Sequence, residues 1–182
     1  MGESDPSMAL SDLSSVIKSS SSSAYTHPAY LHHLTHQIHH NLSHQHDWTS
    51  LTIHTHSPLA PYHLLPRPLI SGLPPSRIYI HPDEQVEILK RRDKEAETRP
   101  EREWVLPSKL REEWSLRKLA EVMDAIGAVP PGPDAATDDS RRAAAAAAKR
   151  ERTKRVLLAT ASDDSTVVYY ILHDGLVKPR QN

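Results

Sequence analysis

The stretch RVLLATA‑SDDS‑TVVYYILH, residues 155–173, constrains this chain more than any other. Two runs rich in β-branched and apolar residues flank a short polar turn, which is the pattern of an antiparallel hairpin. In the second run Val167, Tyr169 and Ile171 fall on one face and Val168, Tyr170 and Leu172 on the other. Both faces are apolar, so the strand must be covered on both sides. A lone hairpin is marginal in water. The rest of the chain has to supply further strands and covering layers, and part of the cover on this last strand is expected from a partner.

Upstream residues provide those layers. Leu31, Leu34, Ile38 and Leu42 recur at helical spacing after Pro28, one apolar stripe of an amphipathic helix. Residues 47–56 then alternate, with Leu51 and Ile53 on one face and Thr52, His54 and His56 on the other, as a half-buried strand does. Residues 58–75 hold six prolines and read as a connection, with a short edge strand at 68–71 where proline is tolerated. Residues 77–81, RIYIH, predict a strand. Pro82, Asp83 and Glu84 then suit a helix start, continued by Val86, Leu89 and the charged run to Glu97. Residues 104–106 form a short apolar strand candidate. Ser115 is placed to cap a helix with Leu116, Leu119, Met123 and Ile126 on its apolar face, stopped by Gly127.

These elements predict a single α/β domain with an α+β mixed sheet over residues 25–182. The serine-rich residues 1–24 cannot bury enough apolar surface to offset ordering entropy and are expected to be a disordered tail. Residues 129–151, rich in Pro, Ala and Arg, read as a flexible low-complexity insertion. With 182 residues one sizeable core is within reach. A net charge of −1 leaves no global basicity to advertise nucleic acid, and the lack of cysteine excludes disulfides, thiolate zinc sites and a cysteine nucleophile. No apolar run approaches a membrane span, and the first residues lack a basic start followed by an apolar block, so a soluble, intracellular chain without a membrane partner is expected.

The hairpin and its continuation, RVLLATASDDSTVVYYILHDGLVKPRQN, together with WVLPSKLREEWSLRKLAEVMDAIG at 104–127 and the helix, strand and RIYIHPDEQ upstream, resemble the small, non-catalytic, structural subunit of the eukaryotic tRNA-splicing endonuclease. The likeness spans residues 24–182, apart from 132–151. It implies a fold like that of the archaeal tRNA-intron endonucleases and a heterotetramer of two catalytic and two structural subunits. In that family the final strands of paired subunits join, and an acidic loop enters a basic cleft on a neighbour. Thr166, Val167, Val168, Tyr169, Tyr170, Ile171 and Leu172 would be that strand, and Asp163 with Asp164 that loop. Aspartates in a hairpin turn also serve turn geometry alone. The resemblance further implies pre-tRNA reached through the complex, no cofactor, and a nuclear location with cytoplasmic or mitochondrial-surface alternatives; whether the isolated chain forms homodimers through the same edge is left open by the sequence.

Catalytic subunits of the family use a Tyr, a His and a Lys at the splice-site phosphodiester. Lys154 lies about where their lysine does, but no histidine occurs between His81 and His173 and no tyrosine between Tyr79 and Tyr169. No catalytic residue is therefore expected here. The basic run at 141–155, with Arg150, Arg152, Lys154 and Arg155, is the candidate for contact with tRNA phosphates, against a merely solvated run.

Seven histidines between His32 and His46 raise metal binding as a rival function. His32, His36, His40 and His44 recur every four residues, yet the row turns gradually around a helix, so four cannot meet at one ion. The wet face of the amphipathic helix is the simpler reading, with no metal site. A surface that charges near pH 6 is a third.

Overall fold

The computed structural model describes residues 27–80, 82–91, 99–132 and 154–175. Helix α1 (Ala29–Gln45) is followed by β1 (Thr49–His56), β2 (Leu64–Leu73), α2 (Pro82–Arg91), β3 (Glu103–Lys109), α3 (Leu116–Asp124), β4 (Arg155–Ala161) and β5 (Val167–His173). The strands form one mixed sheet in chain order, β1-β2-β3-β4-β5. All neighbours are antiparallel except β3 and β4. That parallel pair needs a long crossover, and the connection through α3 supplies it.

Strand alternation sorts the core into two layers. On one face Leu34, Ile38 and Leu42 of α1 pack with Trp48 on Ile70, Val105, Leu157 and Ala159. On the other, Val122 and Met123 of α3 and Ile126 just beyond it pack on Leu69, Trp104, Leu106 and Val156. Trp104 is fully buried and anchors its indole N–H on the Gly127 carbonyl at 2.9 Å.

The ends of the helices follow from local chemistry. Pro28 sits just before α1 with its φ already near helical values, and its carbonyl accepts from Leu31 N–H at 3.0 Å. After α1, Asp47 adopts φ 54°, and Trp48 N–H returns to the Leu42 carbonyl at 3.0 Å, which turns the chain and drops Trp48 into the core. The Ser115 side chain caps α3 by accepting from Lys118 N–H at 3.3 Å, as predicted.

Several expectations change. Residues 64–73 form a ten-residue interior strand, not a connection with a short edge strand. Its prolines are tolerated because β3 pairs only with Ile70, Ser71 and Gly72, leaving Pro66 and Pro68 beside β1 alone, where the register slips between His54 and His56. Residues 77–80 are not a strand. No neighbour offers them a ladder, and their side chains act as packing pieces instead. In α2 it is Ile88 that is buried, while Val86 and Leu89 are exposed. Leu116 is likewise exposed, and Trp114 takes the core contact at the entrance to α3. The serine-rich tail, nearly all of the 129–151 insertion, and Arg150 and Arg152 lie outside the described residues.

Candidate partner interface

A sheet of five strands has two edges, and these two differ. Strand β1 is irregular: its pairing with β2 shifts between Thr49 and Thr52 and again between His54 and His56, and Ser50 adopts φ 50°. Bulges of this kind discourage further pairing. Strand β5 is regular, with seven consecutive pairs to β4 running from Arg155↔His173 to Ala161↔Val167 without a slip. Among the described residues no strand pairs with its outer row of N–H and C=O groups, which leaves that row for a further strand. Thr160 Oγ1 donates to the Val168 carbonyl at 3.0 Å, and Asp174 N–H to the Lys154 carbonyl at 2.8 Å, which ties both ends of the hairpin.

The two faces of β5 are covered unequally. Val167, Tyr169 and Ile171 pack on the α1 layer and Leu172 on the α3 layer. Val168 and Tyr170 face the α3 side too, but α3 does not reach them, and they remain 44% and 52% exposed. Tyr169 pins the strand from the inside. Its hydroxyl donates to Asn41 Oδ1 at 2.5 Å, Asn41 Nδ2 donates to Gln45 Oε1 at 2.6 Å, and the His46 ring meets Tyr169 edge-on at 5.2 Å. Burial pushes the Tyr169 phenol well above the ordinary tyrosine range, so it stays protonated and keeps donating. The outcome is a rigid edge with an apolar outer strip.

The turn places both predicted aspartates at the tip. Asp164 Oδ1 accepts the Thr166 N–H at 3.0 Å, and Ser165 adopts φ 69°, so Asp164 serves the turn itself. The Thr166 hydrogen bonds hold its carboxyl below the usual aspartate range. Asp163 projects into solvent, with Arg111 Nη2 at 3.6 Å from Oδ2. Both carboxylates are exposed at the tip of the hairpin.

The two described residues of the predicted RNA contact face inward. Arg155 is buried at the start of β4, where Nε donates to Glu103 Oε2 at 3.1 Å and Nη2 to Glu103 Oε1 and to Glu101 Oε2, the latter at 3.3 Å. Its charge is used inside the fold, because β3 brings Glu103 alongside. Lys154 Nζ donates to the Met123 carbonyl at the end of α3, 2.9 Å away, and lies 3.9 Å from Asp174 Oδ2. A cation at a helix C-terminus meets unpaired carbonyls favourably.

A further grouping was not legible in the sequence. The Tyr79 ring lies 4.8 Å from that of His173 and 5.2 Å from the Arg155 guanidinium, joining residues far apart in the chain. Arg77, next to it, pairs with Glu101 at 3.3 Å. This cluster clamps residues 77–79 against the open end of the hairpin.

Along α1 His33, His36, His40 and His44 are exposed, as the leucine stripe requires, while His32 and His39 are half-buried at its margins. His40 and His44 stack with ring centroids 4.1 Å apart. His39 is held below the ordinary histidine range by burial and by the neighbouring histidines. Among the described residues no group of three or more His, Asp or Glu could hold a metal ion. None of the described helices is long and apolar enough to cross a membrane.

Comparison with known proteins adds two findings. Residues 37–182 match the family described as Sen15 protein. A protein of Neurospora crassa described as "Probable tRNA-splicing endonuclease subunit tsp-1" is 49% identical over 156 residues, covering 84% of this chain and 67% of that protein.

Proposed function

We propose, from the premise that this chain belongs to the Sen15 protein family, that it is a subunit of the tRNA-splicing endonuclease and contributes scaffold rather than chemistry. The observation that carries the reading is β5: a slip-free edge strand, clamped from inside by Tyr169, with an apolar strip of Val168 and Tyr170 turned outward. Pairing with the corresponding strand of another subunit would complete the sheet and cover that strip. Asp163 and Asp164, at the tip, would reach beyond the shared sheet toward cationic groups on a neighbour. In an isolated chain the same edge is available to a second copy.

The absence of a role in cleavage is supported by how the candidate groups are used. General acid-base cleavage of a phosphodiester needs a base at the 2′-hydroxyl, an acid at the leaving oxygen and a cation at the phosphate. Lys154 is engaged with Met123 and Asp174, and Arg155 with Glu103. In this reading pre-tRNA is met through the assembled complex, and the proposed location is the nucleus.

Affinity purification of the tagged chain from its own cells tests the assembly. The wild type should recover the other endonuclease subunits, and a Val168→Lys, Tyr170→Glu variant that melts like the wild type should not. Recovery of the subunits by that variant, or cutting of an intron-containing pre-tRNA by the purified chain alone, would overturn the proposal.

A further inference from the structure

Arg67, away from the hairpin, carries chemistry that assembly through β5 does not use. It lies in β2 between Pro66 and Pro68, with 6% of its side chain exposed. Nη1 donates to Glu112 Oε1 at 2.7 Å, and the guanidinium lies over Trp114, 5.0 Å from the ring centroid. Among the described residues Nε and Nη2 have no acceptor. These two N–H groups form one edge of the guanidinium, a parallel pair of donors spaced for the two oxygens of a planar acid. Arg67 lines a pocket of about 250 Å3 with Tyr30, Trp114, Lys118 and Glu121.

We propose that this pocket receives the carboxylate of an acidic segment on a protein partner, its oxygens accepting from Nε and Nη2 of Arg67 while Lys118 stands at the rim as a second cation. A buried, half-paired guanidinium is a costly arrangement, and an incoming acid would complete it. Both donors are buried, and the pocket side chains that an incoming acid would displace, Tyr30, Lys118 and Glu121, are exposed.

The charges around the pocket select the ligand. Burial pushes the Glu112 carboxyl up, but the hydrogen bond and charge of Arg67, with Lys109 N–H and Ser108, bring it below its ordinary range. Arg67 is paired with Glu112, and Glu121 with Arg117 at 3.3 Å, which among the described residues leaves Lys118 as the pocket's cation without a carboxylate. A polynucleotide needs a run of surplus cations to displace its counterions, and this pocket offers a single one, Lys118. One carboxylate needs only the two free donors. The pocket volume suits a single Asp or Glu side chain seated against the aromatic walls.

The test uses the full chain, following the Arg67 Nε–H and Trp114 Nε1–H signals by NMR. A short peptide with the core Gly-Asp-Glu-Asp-Gly, capped at both ends, should shift both signals saturably, whereas inorganic phosphate and a single-stranded oligouridylate should not. Arg67→Lys keeps a charge for Glu112 but removes the paired donors, and should weaken the peptide by about tenfold or more. Should that variant fail to fold, Lys118→Glu, at an exposed position, should weaken binding several-fold, with Val168→Lys leaving it unchanged. No saturable shift at millimolar peptide, or saturation by phosphate or the oligonucleotide in its place, would overturn the assignment.

Discussion

Replacing Arg155 by Gln separates a structural cation from an RNA-binding one. Arg155 is buried at the junction of β3 and β4, and the side chain of its partner Glu103 is 3% exposed. The variant keeps bulk and hydrogen-bonding capacity but leaves the Glu103 carboxylate without its cation. Glu101 still has Arg77 at 3.3 Å, so the loss concentrates on Glu103. Breaking one half of a buried pair costs about 3–5 kcal/mol, against a total stability for such domains of about 5–15 kcal/mol. For a chain of this size the melting temperature should fall by on the order of 10 °C. Urea unfolding followed by tryptophan fluorescence provides the assay, since Trp104 adjoins Glu103 in β3. The double variant Arg155→Met, Glu103→Leu removes both charges and should recover most of the loss. A loss under about 1 kcal/mol for the single variant would refute the buried-pair reasoning, because that is the scale of an exposed pair. Unchanged stability with weakened tRNA binding would restore Arg155 to the RNA-contact role expected from the basic run.

Three other outcomes are expected. Gly72→Ala would set a Cβ 2.5 Å from Leu51 Cδ2 and 2.9 Å from Trp48 Cε3, and should destabilise by about 1–3 kcal/mol in denaturant titration. His54 is held at about 4, first by burial and then by the charge of Arg102, while it donates to or accepts from Ser71 Oγ at 2.8 Å. Its folded value lies below the unfolded one, so its contribution is fully present above about pH 6.5 and is lost as pH falls toward 4. His54→Gln should flatten that part of a plot of melting temperature against pH, and an unchanged slope would count against the burial argument. Zinc should leave the melting temperature of the chain unchanged, because the stacked His40 and His44 offer two ligands where a structural site needs four; a stoichiometric upward shift would reopen the metal reading.

Periodicity alone determined α1, β1, α3 and the hairpin, because each writes its buried face into its own residues at spacings of two or of three and four. Residues 64–73 and 77–80 depart from the sequence expectation for one reason seen from opposite sides. A strand exists only where a neighbour completes its ladder, so β propensity depends on context that the segment itself does not contain. Residues 64–73 have β1 along one side and β3 at one end, and their prolines fall where the ladder is open. RIYI, residues 77–80, has the better strand composition and no ladder to join. The resemblance in the hairpin located the candidate interface by residue number, and the alternation of β5 already showed that both its faces wanted cover.

What the chain could not announce is which groups meet across long separations. Arg155 reads as one more member of a basic run, yet the parallel pairing of β3 and β4 sets it on Glu103 and converts a surface charge into a buried one. Arg67 reads as an isolated cation between two prolines, and only the packing of α1 and α3 on β2 closes a pocket around it. Local pattern determined the elements, since it reports what each residue's neighbours in sequence must bury. Tertiary structure decided the fate of the charges, since that depends on burial and partners brought from elsewhere in the chain.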